Sequence, residues 1–164
     1  RILQGLNEAN RNVQHLSHGI LPLEVDSNGL RSALERLTSE TSMLPNVHCQ
    51  LRYSEKIEID NNLFATQLYR ITQEAINNAL RHGHATEITV SLTNSDGKLL
   101  LDVCDNGVGF DKSTPKELTQ QDTSTADKKG RGLEIMSYRA GMIGGTIQLS
   151  RLSSSWTSLK CIFQ

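Results

Sequence analysis

The stretch CDNGVGFD, residues 104–111, places an acidic residue, an amide and two glycines directly after an apolar run. The preceding residues, KLLLDVCD, predict a buried strand that ends at Asp105. Gly107 and Gly109 permit positive φ angles and let a ligand come close to the turn. Two interpretations stay open here: a carboxylate clamp for a ligand, or a β-hairpin turn, because Asn-Gly is a strong hairpin signal.

Length and composition predict one domain, with or without an appendage. The chain has 164 residues and a formal net charge of −1, from 17 basic and 18 acidic side chains. This balance argues against a general nucleic-acid or polyanion binder, so any bound anion has to be held locally. The three cysteines are far apart, which fits free buried thiols in a reducing compartment. No apolar run approaches the length of a membrane span and no signal peptide is visible, so we expect no membrane contact.

The order of predicted elements indicates an α+β fold. Helical patterns cover residues 1–18, 30–44 and 61–83, the last of them capped by Asp60 and ended by Gly83. Strand patterns are HCQLRYS, ATEITVSLTN, KLLLDVC, GTIQLSRL and TSLKCIF, with a helical GRGLEIMSYRAGMIGG before the last two. Residues 111–129 carry hardly an apolar side chain, which is typical of a mobile lid or a disordered insertion. Helices and antiparallel strands in separate runs predict a two-layer sandwich with the helices on one face of the sheet.

The longest helical pattern places polar side chains beside its apolar face. The apolar stripe predicted to face the sheet consists of Phe64, Leu68, Ile71, Ala75 and Ala79. Glu74, Asn78 and His82 form an i, i+4, i+8 ridge along the edge of that stripe. An amide oxygen is a hard ligand suited to Mg²⁺, and a carboxylate can take a proton, so the ridge suits a metal-bound polyphosphate. A solvated helix edge remains the alternative.

A glycine-containing turn precedes the later helix, in KKGRGLEIM, residues 128–136. Gly130 and Gly132 directly before a helix are typical of turns whose free N–H groups hold a phosphate. Positive charge is concentrated there by Lys128, Lys129 and Arg131.

Three of these segments, taken in order, resemble a known set of sequence boxes. QEAINNALRHG, DNGVGF and GRGLEIM resemble the N, G1 and G2 boxes of the ATP-binding domain shared by gyrase, heat-shock chaperones, histidine kinases and MutL. RGLEIMSYRAGMIGGTI is similar in detail to sensor histidine kinases that pair with helix-turn-helix response regulators. The resemblance covers about residues 48–164. It implies the Bergerat fold, a two-layer α/β sandwich with a mixed, mainly antiparallel sheet, helices on one face and a polar ATP lid.

The resemblance implies a site for ATP and Mg²⁺. Asp105 would accept a hydrogen bond from the adenine amino group, with Gly107 and Gly109 letting the base approach. Asn78 would ligate Mg²⁺, and Glu74 would orient a water or the attacking imidazole. The other implied nucleotide-binding positions are Arg81 and His82 near the phosphates, the backbone of Gly130, Arg131, Gly132 and Leu133, and Thr157 beside adenine.

The chain departs from the family pattern at two places. The turn before Thr157 is usually rich in glycine, whereas here it reads SSSWT, so Trp156 makes it bulkier. No His-Asp or His-Glu pair occurs in the chain, although this branch of kinases has such a pair at its phosphoacceptor. We therefore expect the acceptor upstream of Arg1 and not at His15 or His18.

The resemblance implies a catalytic domain that passes the γ-phosphate of Mg-ATP to a histidine outside this segment and then to a helix-turn-helix response regulator. We expect residues 1–45 to be the end of dimerisation helices with a connector, and residues 46–164 to be the ATP-binding domain, with the lid at about 111–129. The full-length protein would form a homodimer through upstream helices. It would be cytoplasmic, or the cytosolic part of a membrane-anchored sensor. Two alternatives remain: a degenerate regulatory module, and an ATPase or serine kinase acting on an anti-sigma partner.

Overall fold

The computed structural model describes residues 29–55, 57–95, 97–109, 131–153 and 156–163. The predicted helix at residues 1–18, the lid at residues 111–129 and Gly130 lie outside the described residues.

Five strands form one mixed sheet. Their bounds are β1 His48–Tyr53, β2 Glu87–Ser95, β3 Lys98–Asp105, β4 Gly145–Ser153 and β5 Trp156–Phe163. They lie side by side in the order β1-β2-β3-β5-β4. Only the β1–β2 pair is parallel, and the other three pairs are antiparallel. The expected mixed, mainly antiparallel sheet is therefore confirmed.

In the described part of the chain three helices accompany the sheet, and their bounds are α1 Leu30–Ser42, α2 Asn62–Arg81 and α3 Arg131–Met142. The expectation that Asp60 caps α2 is wrong. The cap is Asn61, whose side-chain oxygen accepts a hydrogen bond from the Phe64 N–H at 3.1 Å. Asp and Asn are both good caps by residue type. Which of the two neighbouring positions is the cap depends on where the backbone changes from extended to helical. Among the described residues no helix combines the length and the apolar character needed to cross a membrane.

The core lies between the helices and one face of the sheet. Alternate strand residues point into it, and the fully buried ones are Cys49, Ile88, Val90, Leu92, Leu101, Val103, Leu159, Cys161 and Phe163. The predicted stripe of α2 meets them: Leu68, Ile71, Ala75 and Ala79 are buried and Phe64 packs against the same core. Leu30 and Leu34 of α1 and Met136 and Ala140 of α3 complete it. Because strand side chains alternate between faces, the other face carries mostly half-buried and exposed residues, with Ser158 buried among them.

The register places several chain ends at one edge of the sheet. Asp105, the last residue of β3, lies opposite Ile88 near the start of β2 and opposite Thr157 near the start of β5. Of the residues after Asp105, the described ones, 106–109, belong to no strand, which argues against a hairpin turn at Asn106-Gly107. The Val108 N–H instead donates to the Gly83 carbonyl at 2.8 Å, which brings the end of α2 to the same edge.

Candidate functional site

Two glycines allow the turn after β3 to pack against its neighbours. A Cβ on Gly107 would lie 2.5 Å from the Gly83 carbonyl oxygen, a separation that rigid backbone cannot tolerate. Gly109 has φ +75°, and a Cβ there would lie 3.1 Å from Oγ1 of Thr157. The first glycine therefore fixes the turn to the end of α2, and the second brings it close to β5 in a left-handed conformation that favours glycine.

Asp105 is a buried carboxyl at the floor of this turn. Only 9% of the residue is exposed. Its Oδ1 accepts a hydrogen bond from the Gly107 N–H at 2.9 Å. Burial raises the pKa of the Asp105 carboxyl above its ordinary value, and the hydrogen bond from Gly107 opposes that rise without cancelling it. A carboxylate held in this way is able to accept a further hydrogen bond from a ligand.

Thr157 lies beside Asp105 on the neighbouring strand. Its Oγ1 is fully buried and has no hydrogen-bond partner in the part of the chain that the structure describes. Leaving a buried hydroxyl unpaired costs about 1–3 kcal/mol, so such an atom calls for an explanation. A ligand with a hydrogen-bonding group next to the Asp105 carboxylate would satisfy it.

The first turn of α3 packs directly on the polar ridge of α2. A Cβ on Gly132 would lie 2.6 Å from Oε1 of Glu74 and 3.0 Å from Nδ2 of Asn78. Glu74 and Asn78 are half-buried, so they lie at the border of the core as the helical spacing predicted. The structure thus brings together residues of the first and third sequence boxes. The free N–H groups of a helix N-terminus lie beside a carboxylate and an amide there.

The other predicted site residues lie at the end of α2 and in the first turn of α3. Arg81 and His82 are exposed at the end of α2, and the His82 N–H donates to the Asn78 carbonyl at 2.9 Å. The side chain of Leu133 packs against the core, and Arg131 is the first residue of α3. Trp156 is half-buried at the first position of β5.

Two arginines that the sequence patterns did not single out support the site. Arg139 of α3 donates from Nη1 to Oε1 of Gln67 of α2 at 2.8 Å, which fixes the two helices together. Arg151 reaches from β4 to the carbonyl oxygen of Val108 at 3.4 Å, beside the glycine turn. Gln67 and Arg139 are 72 residues apart, and no local pattern marks such a pair.

The donor set fits a cation that is shared with a ligand. Among the described residues no group of three or more His, Cys, Asp and Glu side chains is arranged to hold a metal ion. The oxygens of Glu74 and Asn78 nevertheless lie around one point, the position of a Cβ on Gly132, at 2.6 and 3.3 Å. Mg²⁺ commonly takes one or two protein oxygens and completes its shell with water and phosphate. Glu74 and Asn78 fit this mode of coordination.

A family model described as histidine kinase-, DNA gyrase B- and HSP90-like ATPase matches residues 64–163. The chain belongs to this family. The match spans α2 to β5 and so includes every described residue of the candidate site.

Members of this ATPase family that resemble the chain in sequence include sensor kinases. Sensor histidine kinase MctS of Rhizobium johnstonii is 33% identical over 114 residues, which cover 68% of this chain and 24% of that protein. Sensor protein VraS of Staphylococcus aureus strain COL is 41% identical over 93 residues, covering 57% of this chain and 24% of that protein. The matched segments thus span about a quarter of the length of these curated relatives.

Solved structures of the ATPase family show the same fold. Histidine kinase AdeS of Acinetobacter baumannii aligns with a TM-score of 0.63 at 19% identity, covering 99% of this chain and 78% of that chain. The ATP-binding domain of PrrB from Mycobacterium tuberculosis aligns with a TM-score of 0.61 at 22% identity, covering 79% of this chain and 88% of that chain. The two-layer α+β architecture is therefore that of histidine kinase ATP-binding domains.

Proposed function

We propose that this chain is the ATP-binding catalytic domain of a sensor histidine kinase. The observation that carries the proposal is the buried carboxylate of Asp105 beside the Thr157 hydroxyl, which has no hydrogen-bond partner among the described residues. The edge of adenine offers an amino donor next to a ring-nitrogen acceptor. Asp105 would accept from the amino group, and the Thr157 hydroxyl would donate to the ring nitrogen, directly or through one water.

The glycine turn after β3 would receive the base, and the first turn of α3 would receive the phosphates. Gly107 and Gly109 let the turn pack closely against Gly83 and Thr157, and the base would approach the backbone of this turn beside Asp105. The triphosphate would extend from there toward the first turn of α3, where the backbone of Gly130, Arg131, Gly132 and Leu133 would offer N–H donors. Arg81 and His82 would add positive or hydrogen-bonding groups at the exposed end of α2.

Glu74 and Asn78 would serve the reacting end of the nucleotide. Asn78 would hold Mg²⁺ together with phosphate oxygens, and the ion would neutralise charge on the phosphates. Glu74 would orient the attacking imidazole and accept its proton. Since phosphoryl transfer depends on position and charge neutralisation, the contact of Gly132 with both side chains would set the geometry.

The γ-phosphate would pass to a histidine outside residues 1–164 and then to an aspartate of a helix-turn-helix response regulator. In that arrangement residues 1–45 would link this domain to dimerisation helices, and the whole protein would act as a homodimer. This assignment rests on the similarity to MctS and VraS, which are named as sensors. The domain would then work in the cytoplasm, in a free protein or in the cytosolic part of a membrane-anchored sensor.

The test is calorimetric titration of a non-hydrolysable ATP analogue into this chain, with and without Mg²⁺. We expect binding that tightens when Mg²⁺ is present. Asp105→Asn should weaken binding by on the order of tenfold or more, because it removes a charge-assisted hydrogen bond. Asp102→Asn is the matched control: Asp102 lies on the same strand but bonds Oγ of Ser158 at 2.7 Å on the other face. It should leave the affinity unchanged.

Other outcomes identify the alternatives. Binding without a gain from Mg²⁺, or no binding by a folded chain, would favour a degenerate regulatory module, with Trp156 the first residue to change. If the chain phosphorylates serine on a partner and no acid-labile phosphohistidine forms on an added dimerisation domain, it is a serine kinase of the same fold. Asn78→Asp should abolish Mg-dependent transfer to such a dimerisation domain.

A further inference from the structure

Asn106 forms a clamp between the glycine turn and the start of β2. Its Oδ1 accepts hydrogen bonds from the backbone N–H groups of Thr86 and Glu87, both at 2.9 Å. Its Nδ2 donates to Oγ1 of Thr86 at 3.0 Å. Its own backbone N–H donates to the Glu87 carbonyl at 3.1 Å. The amide therefore holds the turn to β2 through both ends of its side chain.

The clamp begins where the ladder between the strands stops. The strand pairing ends at Asp105 and Ile88, and one further backbone bond, from the Asn106 N–H to the Glu87 carbonyl, follows in the same register. The side chain of Asn106 accepts from the Glu87 N–H, which a continued ladder would have paired with the main-chain carbonyl of Asn106, and also from the Thr86 N–H. The backbone on the C-terminal side of Asp105 is fixed in this way, and so is Gly107, whose N–H donates to the Asp105 carboxylate.

We infer that Asn106 is a positioning residue for base recognition, acting through Asp105. The inference rests on the proposed function, in which Asp105 accepts from the amino group of adenine. A carboxylate distinguishes a base with that amino group from one without it only if its oxygens are held in place. Asn106 holds the chain on one side of Asp105, and β-pairing with β2 and β5 holds it on the other.

If Asn106 had only a structural role, its replacement would have a different effect on nucleotide binding. Thr86 and Glu87 are exposed, so water can replace the side chain of Asn106 when it is truncated, and the domain should still fold. Loss of a structural bond would lower the melting temperature and weaken all nucleotides alike. Loss of a positioning bond would instead reduce the preference for the amino group.

The experiment measures that preference by calorimetry with ADP and with purine riboside 5′-diphosphate, which lacks the 6-amino group. The wild-type chain should prefer ADP by on the order of tenfold or more, the usual effect of a hydrogen bond to a charged group. Asn106→Ala should lower the preference to about twofold while changing the affinity for the purine analogue by less than about threefold. Asn94→Ala, an exposed asparagine within β2, should keep the wild-type preference.

Asn106→Asp provides the conservative rescue. An aspartate can accept from the N–H groups of Thr86 and Glu87, and the Thr86 hydroxyl can rotate to donate to it, so the preference should be retained. If a folded Asn106→Ala chain keeps the wild-type preference, or Asn106→Asp loses it as fully as alanine does, the inference is overturned. Should Asn106→Ala fail to fold, Asn106→Ser is measured in the same way, and an unchanged preference there overturns it equally.

Failure of the proposed function has its own signature. A wild-type chain that binds neither diphosphate, or binds both equally, would contradict base recognition by Asp105 itself. A wild-type preference that survives in Asn106→Ala would contradict only the role of Asn106.

Discussion

At the scale of single residues, the Asp105 carboxyl opposes folding and serves binding. Burial raises its pKa, so the ionised form is disfavoured in the folded chain relative to the unfolded chain. A group whose folded pKa is raised gives its full stability below its unfolded pKa, about 3.9, and that stability is lost as the pH rises through the folded pKa. At pH 7, above the unfolded pKa, the buried carboxyl therefore lowers the stability of the folded chain.

We predict that Asp105→Asn stabilises the nucleotide-free chain at pH 7 although it weakens nucleotide binding. An amide keeps an oxygen for the Gly107 N–H and carries no charge. A gain of about 1 kcal/mol, the usual size of single-residue effects, would raise the melting temperature by about 3 °C. Thermal unfolding followed by circular dichroism from pH 7 to pH 3.5 measures it, and the gain should shrink as the pH falls. A variant less stable than wild type at pH 7, or a gain that grows in acid, would show that the carboxylate stabilises the fold.

The Thr157 hydroxyl illustrates what a sequence can and cannot predict about single residues. The sequence placed Thr157 beside the base by resemblance alone. Its position opposite Asp105 follows from the register of β5 against β3, which no local pattern gives. The clamp of Asn106 is similar, because Thr86 and Asn106 are 20 residues apart and meet only through the pairing of β2 with β3.

At the scale of elements, most helices and strands could be predicted because their periodicity is local. The alternation of apolar residues gave the five strands, and the stripe from Phe64 to Ala79 gave the buried face of α2. The insertion of β5 between β3 and β4 was not predicted, because strand order depends on contacts between distant segments. The start of α2 was misplaced by one residue, since Asp60 and Asn61 are equally suitable caps by type.

The contact of α3 with α2 gives an element-scale prediction. A Cβ on Gly132 would meet the flexible ends of Glu74 and Asn78, whereas a Cβ on Gly141, in the same helix, meets no heavy atom within 4 Å beyond its chain neighbours and the backbone of its own helix. Alanine also favours the helix by about 1 kcal/mol over glycine. Gly132→Ala should therefore keep the melting temperature within a few degrees yet displace both side chains. We predict that it loses most of the gain in affinity for an ATP analogue that Mg²⁺ provides.

Gly141→Ala is the matched control for this prediction, with the same helix and the same added methyl group. It should leave the Mg²⁺-dependent gain intact in calorimetric titration. Equal Mg²⁺ responses in the two variants would mean that Glu74 and Asn78 do not need their present positions, and the proposed metal site would then have to lie elsewhere.

At the scale of the whole molecule, the proposed ligand would touch the sheet, α2 and α3 together. Asp105 and Thr157 belong to β3 and β5, Glu74 and Asn78 to α2, and Gly132 to α3. A ligand that binds only the folded chain stabilises all of these elements by the same free energy, about 2.7 kcal/mol at a hundred times its Kd. The three cysteines can report on this, because they lie at different depths.

Thiol alkylation at pH 8 gives the last prediction. Burial raises the pKa of Cys161 to about 12 and that of Cys49 and Cys104 to about 11. Since only an accessible thiolate reacts, all three should be labelled slowly in the folded chain. Cys161 is fully buried under the helices and needs global unfolding, whereas Cys104 is half-buried on the other face of the sheet and should react first.

Mass spectrometry of peptides from iodoacetamide-treated samples follows each site. An ATP analogue with Mg²⁺ at a hundred times its Kd should slow labelling of Cys161 about a hundredfold, and Asp105→Asn at the same concentration should lose most of that protection. The prediction is contradicted if Cys161 reacts as fast as Cys104, or if saturating nucleotide leaves its labelling rate unchanged. The sheet and the helices would then not unfold as one unit that is coupled to this site.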